Sequence, residues 1–492
     1  MPALPIQQGS ASSPAADSDG HEGFASYHTR MMPPQPSAAV GLTRQGLALF
    51  AVGEHSKAEQ AFRTVVEVAP DQAIAWNNLA LVLVARGEAE EAVAALRRSL
   101  IIDANQLVTW NSLANVLVGL GDIEPAEHAC VAALALDSSC AEAWQTRAFL
   151  RVQAEEFVGA AEAFSRTIEL VGENAALFLN LGATLMKCGR FADAEIALAK
   201  SLRLDSASPS AAEFKDVCDL IVAAIAGSIA HTELSHCDQS FKTAFLLLNA
   251  AEQSAAAARV AEAWVAAFPD NIEAAHFRDA AQSRAVPRQP AELVAQHFDG
   301  IAEDFDERLV RRLGYQGPER LMSLIAQHLT PEASLDILDL GCGTGLCAPL
   351  LLPFARRLVG IDLSSRMLAR ARALSLYDSL EVADLVSALS HPSDRWDLLI
   401  AADTFPYLGD LEPVFADAAQ VLTSRGFFAF STEAADGDDF LLKANGRYGH
   451  GHGYIERLAA HRFQIVQCIS GTLRREAGRA VVGDFFLLRK LA

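Results

Sequence analysis

The sequence predicts a two-part protein, an all-α solenoid of helix pairs followed by a doubly wound α/β sheet. Three observations predict it: aromatic residues recur every 34 positions in the first half, the run ILDLGCGTG occupies 337–345, and apolar runs alternate with helical patterns after that loop. With 492 residues the chain exceeds one typical core, so two or three domains are expected.

Charge and cysteine usage narrow the partners. Lys and Arg total 40 against 61 Asp and Glu, a formal charge of −21, which repels nucleic acid unless basic residues gather. The group Arg474, Arg475 and Arg479 falls in a terminal hairpin and reads as a solvated face, so no nucleic-acid partner is expected. Eight cysteines without a CxxC pair read as reduced thiols of a cytoplasmic protein, and no metal site is expected. Residues 1–38 are rich in Ala, Ser, Pro and Gly and read as a disordered tail, and no stretch reaches membrane-span length.

Trp76, Trp110, Trp144 and Phe178 define the period, and Ala58, Ala92, Ala126, Ala160 and Ala194 share it. Gly87, Gly121 and Gly189 follow the same step with Glu155 substituting. A small residue where helices approach, an aromatic filling the gap and a glycine at the turn describe a stacked helix pair, and the pattern resembles tetratricopeptide repeats. Five repeats are expected over 39–208, then a degenerate repeat with capping helices over 209–283 and a linker at 284–291. The tryptophans are expected to pack between helices. Asn77, Asn78, Asn111, Asn115 and Asn180 lie on or near the groove face, either holding a peptide backbone through their amides or forming a solvated row. A protein or peptide partner in that groove is the expectation.

In the second half, 292–492, Ile337 and Leu338 belong to a strand ended by Asp339, and Gly341, Gly343 and Gly345 form the turn that follows. A dinucleotide fingerprint wants GxGxxG, but here the third glycine comes one residue early and Leu346 holds the expected place; no Lys-Ser/Thr pair follows, so a P-loop fails too. Further apolar strands end in Asp362, Asp384, Asp403 and Glu433. Asp362 either accepts the hydroxyls of a ribose or caps the next helix, with Ser364 the competing cap. An antiparallel pair, FQIVQCISGTL and AVVGDFFLLRK, ends the chain.

These motifs, with GYQGPERL, GIDLSSRML and AADTFPYLGDLEPVF, resemble a bacterial family of tetratricopeptide-repeat-containing class I S-adenosylmethionine-dependent methyltransferases. The resemblance implies a Rossmann-like seven-stranded sheet with its last strand antiparallel and S-adenosyl-L-methionine as cofactor. It places that cofactor against Asp339, Leu340, Gly341, Cys342, Gly343, Gly345, Asp362, Leu363, Met367, Asp384, Leu385 and Asp403, with Phe298, Phe305 and Tyr315 as a cover. A sulfonium is already a strong methyl donor, so a base is needed only where the acceptor must lose a proton. His450, Tyr448, Glu433 and Tyr407 are the candidates, with His450 in a glycine-rich loop, NGRYGHGHG. Three readings stay open: a methyltransferase whose repeats recruit a protein, one acting on a small metabolite with repeats used for assembly, and a non-enzymatic scaffold.

Overall fold

In the computed structural model, residues 37–229, 237–284, 286–307, 309, 314–390, 394–476 and 479–492 are described; the expected tail at 1–38 lies almost wholly outside them. The chain divides into two compact units, residues 1–222 and 223–492.

Five helix pairs build the first unit: α1 (Ser37–Ala51) with α2 (His55–Val68), α3 (Ala73–Ala85) with α4 (Ala89–Ile102), and α5 (Leu107–Leu120) with α6 (Ile123–Leu136). The pairs α7 (Ala141–Gln153) with α8 (Phe157–Val171) and α9 (Ala175–Lys187) with α10 (Phe191–Leu204) complete them. The periodic alanines 58, 92, 126, 160 and 194 are all 0% exposed, which lets paired helices approach closely. Within each pair the turn needs one left-handed residue. Gly53, Gly87, Gly121 and Gly189 supply it at φ 78°, 79°, 79° and 73°, and Glu155 takes the same place at 59°.

The tryptophans do more than pack. Each is half-buried and donates its indole N–H to a carbonyl six residues earlier: Trp76 to Pro70, Trp110 to Ala104 and Trp144 to Ser138, each at 2.9 Å. Phe178, without that donor, is buried instead and receives Lys200 over its ring. The asparagines also differ from a free ladder. Asn77 donates to Thr109, Asn111 to Cys140, and Asn115 accepts from Thr146, so these three link neighbouring repeats. Asn78 and Asn180 are 1% and 2% exposed, inside the helix stack.

Helix α11 (Pro209–Ala226) leads into the second unit. There α12 (Asp238–Ala250), α13 (Ser254–Ala267) and α14 (Ile272–Ala281), expected as caps of the array, group with the sheet. Next come α15 (Ala291–Ile301) and α16 (Gly317–His328), then β1 (Leu335–Leu340), α17 (Ala348–Leu351), β2 (Ala355–Asp362), α18 (Ser365–Leu374), β3 (Ser379–Val382), α19 (Leu385–Ser390) and β4 (Trp396–Ala401). The chain finishes with α20 (Glu412–Val421), β5 (Leu422–Glu433), a hairpin of β6 (Phe440–Leu442) and β7 (Tyr448–His450), α21 (His452–Ala459), β8 (Phe463–Glu476) and β9 (Arg479–Lys490).

Seven strands form one sheet in the order β3-β2-β1-β4-β5-β9-β8. The first five are parallel, and β9 runs antiparallel to both β5 and β8. Alternation sends Leu338, Leu399 and Phe428 to one buried face and Ile337, Leu398 and Ala429 to the other. Because β2 and β3 lie on one side of β1 and β4 and β5 on the other, the strand order reverses between β1 and β4. Ligands of open α/β sheets bind at the carboxyl ends of strands at such a reversal.

The expected linker is not a free connection. Pro287 O accepts from the N–H groups of Gly409 and Asp410 at 2.9 and 2.8 Å, Gln289 N donates to Tyr407 O at 3.1 Å, and Arg288 bridges Leu408 as a strand would. Its backbone donors and acceptors find partners on the α/β domain, which pins it there.

Candidate functional site

The glycine loop begins where β1 ends, one residue later than Asp339. Asp339 sits 1% exposed within the strand and accepts from the Tyr377 hydroxyl at 2.7 Å; burial pushes its carboxyl up to about 7. Gly341, Gly343 and Gly345 have φ of 72°, 56° and 90°, a run that side-chain-bearing residues resist. A Cβ at Gly341 would lie 2.7 Å from the Thr404 side chain, whereas one at Gly343 would meet nothing within 4 Å. Gly341 N and Cys342 N donate to Ile361 O, and Gly343 N donates to Asp362 Oδ2 at 2.9 Å, so the tip of β2 holds the loop of β1.

Asp362 therefore caps no helix; Ser364 does, accepting from Met367 N at 3.0 Å. The other Asp362 oxygen accepts from Ser364 N at 2.8 Å. Two acidic residues from the preceding segment close over the same corner. Asp299 on α15 accepts from the Ser364 hydroxyl and Arg366 N, and Asp306 accepts from the Thr344 hydroxyl. Phe298 lies edge-on to Tyr407 with ring centroids 5.2 Å apart, and to Phe305 at 5.9 Å. Tyr315 is buried against Gly317.

Several of the residues expected to contact the cofactor are buried. Leu340 and Met367 are 0% exposed and Leu385 is 9% exposed, all packed in the interior by strand or helix periodicity. Cys342 is buried, with Sγ toward Gly360, while Leu363 stays half-buried at the tip of β2. Asp384 follows β3, and Arg288 engages both of its oxygens while Ser387 N donates to Oδ1. Burial alone would raise this carboxyl, but Arg288 and Ser387 hold it below the ordinary range.

At the ends of β4, β5 and β8 a second cluster forms. Asp403, at φ 55°, directs both oxygens to Arg474 Nη1 at 2.9 and 2.8 Å. Arg474 also reaches Glu433 through Nη2 and Glu476 through Nε, and is 2% exposed. Lys443 Nζ donates to Glu433 Oε2 at 3.0 Å, and Arg447 donates to Glu476 through Nη2. The reading of Arg474 as a solvated face is corrected: a buried carboxylate demands a cation, and Glu433, 1% exposed at the end of β5, recruits it from β8. Arg475 is exposed, and the Arg479 side chain lies outside the described residues.

The four base candidates fare unequally. Burial alone would raise Glu433, but Arg447, Arg474 and Lys443 lower it below the ordinary glutamate range, so it is a weak base with both oxygens engaged. His450 is not on an open loop; it is a strand residue, 1% exposed, with Nε2 on Gly409 O at 3.1 Å, and burial lowers it to about 4. Tyr448 is 0% exposed, and burial raises its hydroxyl to about 12. Tyr407 is half-buried at the rim, also raised to about 12 by burial, and so remains a proton-bearing donor at neutral pH. Sequence reasoning missed Tyr377, Arg288, Asp299, Asp306, Lys443 and Arg447. The signal available was the set of strand-end carboxylates, each of which needs a donor when buried.

Comparison with known proteins agrees with this geometry. Residues 338–430 match the model of a methyltransferase domain, and residues 43–106 and 146–209 match tetratricopeptide repeats. The malonyl-[acyl-carrier protein] O-methyltransferase of Acetivibrio thermocellus is 32% identical over 143 residues, covering 28% of this chain and 49% of that protein. That of Geobacter sulfurreducens is 33% identical over 171 residues, covering 33% and 62%. The ubiquinone biosynthesis O-methyltransferase of Thiobacillus denitrificans is 33% identical over 122 residues, covering 24% and 52%. The chain thus spans about half the length of the curated relatives it matches. From the end of β1 to β5, the second unit is a methyltransferase domain, and it stands in one chain behind tetratricopeptide repeats.

Proposed function

We propose that this chain is an S-adenosylmethionine-dependent methyltransferase whose repeats recruit a protein, either the substrate or a carrier holding it. The observation that carries the reading is the left-handed glycine loop tied through Gly343 N to Asp362, at the strand-order reversal and inside the segment matched as a methyltransferase domain. The loop gives a ligand close access to backbone, and Asp362 is the acceptor for ribose hydroxyls at the next strand end. The cofactor when bound supplies an electrophilic methyl group. The chain's own residues align it, with Asp299 and Asp306 holding the covering segment and Phe298, Phe305 and Tyr407 lining it with rings that exclude water. Two relatives are named for a group on acyl-carrier protein, which supports a protein-borne acceptor. A cytoplasmic location fits eight free cysteines, and no described helix is long and apolar enough to cross a membrane.

Isothermal titration with S-adenosylmethionine tests the pocket. Asp362→Ala and Gly343→Val should each weaken binding at least about tenfold, one by losing a charged hydrogen-bond acceptor and the other by placing a β-branched residue at φ 56°. Wild-type affinity in both variants would sink the assignment.

A further inference from the structure

The cluster at the ends of β4, β5 and β8 has spent its acceptors and kept donors. Asp403 gives both oxygens to Arg474, Glu433 gives one to Arg474 and one to Lys443, and Glu476 gives its two to Arg474 and Arg447. A guanidinium carries five N–H donors. The Arg474 hydrogen bonds run through all three of its nitrogens, whereas those of Arg447 run through Nη2 alone. Arg447 Nε is buried 3.3 Å from Glu433 Oε1, so the donors of Arg447 left to a ligand are those of Nη1, which makes no hydrogen bond among the described residues. Arg447 is also nearer solvent, 22% exposed against 2% for Arg474. Tyr407 lies four residues after Asp403, in a turn that packs against β7 beside Arg447, and the charges of Arg447, Asp403 and Arg474 act on its hydroxyl. The three cations and three carboxylates cancel, so a ligand here is chosen by what the leftover N–H and O–H groups can donate to, namely oxygen lone pairs.

The chemistry narrows further. An ammonium or hydroxyl acceptor must lose a proton before attack, and no base candidate at the site is free to take it: Glu433 and Asp403 are engaged by cations, and His450 and Tyr448 are buried. A carboxylate attacks without losing a proton. Resting on the methyltransferase reading above, we propose that the methyl acceptor is a carboxylate, held by the unengaged guanidinium donors of Arg447 together with the Tyr407 hydroxyl, and that the product is a methyl ester. An oxygen lone pair forms the new carbon–oxygen bond as the carbon–sulfur bond of the donor breaks. The electron pair leaves with sulfur, which becomes a neutral thioether, and no proton moves.

The test uses the full-length chain, methyl-tritiated S-adenosylmethionine and an extract of the source cells. Methyl esters release their label as volatile methanol in mild alkali, whereas N-methyl groups and methyl ethers do not. Volatile label is expected from the wild type. Arg447→Lys, which keeps charge but loses the fork, and Tyr407→Phe should each lower it at least about tenfold while titration with the cofactor alone changes little. Thermal unfolding of both variants separates misfolding from lost recognition. Alkali-stable label, no volatile label from a wild type that binds cofactor, or full transfer by a folded Arg447→Lys overturns the carboxylate. A wild type that fails to bind cofactor overturns the underlying methyltransferase reading and this proposal with it.

Discussion

In the repeat array a polar contact joins a residue to the next helix pair, whereas at the carboxyl edge of the sheet it joins parts of the chain that only the finished fold brings together. Asn77 reaches Thr109 and Asn111 reaches Cys140, separations of 32 and 29 residues. Arg474 reaches Asp403 across 71 residues, and Arg288 reaches Asp384 across 96. The array is therefore a sum of neighbour interactions, so a change in one repeat is felt next door. The cluster in the sheet is held by three strand ends and a hairpin at once, so a single change there is felt by all of them.

The largest effect should come from Arg474→Met, which leaves Asp403 and Glu433 facing one another with part of their cation lost. A destabilisation of about 3 to 5 kcal/mol is expected in urea unfolding. A loss below about 1 kcal/mol would break the contrast between the two regions.

Next in size is a pH effect at the hairpin. His450 is lowered from 6.5 to about 4, so between those values the unfolded chain takes a proton that the folded one refuses. Its contribution is complete above pH 6.5 and is lost as pH falls toward 4, roughly 3 kcal/mol in all. Asp339, raised from 3.8 to about 7, contributes with the opposite sign over an overlapping range. The measurement is thus the difference in unfolding midpoint between wild type and His450→Leu, at pH 7 and pH 5. A difference that does not change with pH would mean the imidazole titrates freely.

The smallest effect belongs to the array. Glu155 occupies a left-handed position where its four counterparts are glycine, so Glu155→Gly should raise stability by at most about 1 kcal/mol, after the greater freedom of glycine in the unfolded chain is subtracted. A destabilised variant would show that the Glu155 side chain does something its period does not reveal.

The same contrast explains what was legible in the sequence. A 34-residue step carries helix, turn and packing information in each repeat, so Trp76, Ala92 and Gly121 could be placed by subtraction alone. The parallel strands and glycine loop were legible because apolar runs and left-handed turns leave local marks. Arg474 was not, because a strand residue's partner is set by sheet order, and the order β5-β9-β8 is invisible to periodicity. His450 failed for a related reason: a glycine-rich run reads as a loop, yet β6 pairs with it and Tyr454 stacks on its ring. Leu340, Met367 and Leu385 lie beside loop residues in sequence but point inward, a direction set by side-chain alternation along the strand and helical phase.

The indole-to-carbonyl bonds of the repeats have an optical consequence. Of the five tryptophans, Trp76, Trp110 and Trp144 are half-buried in the array, whereas Trp264 and Trp396 are 0% and 6% exposed in the other unit. Half-hydrated indoles emit at longer wavelength than enclosed ones, so the red and blue flanks of one fluorescence spectrum follow different units. The chain carries its own two-colour label, with which melting of the repeats and of the sheet can be timed separately without attaching a dye.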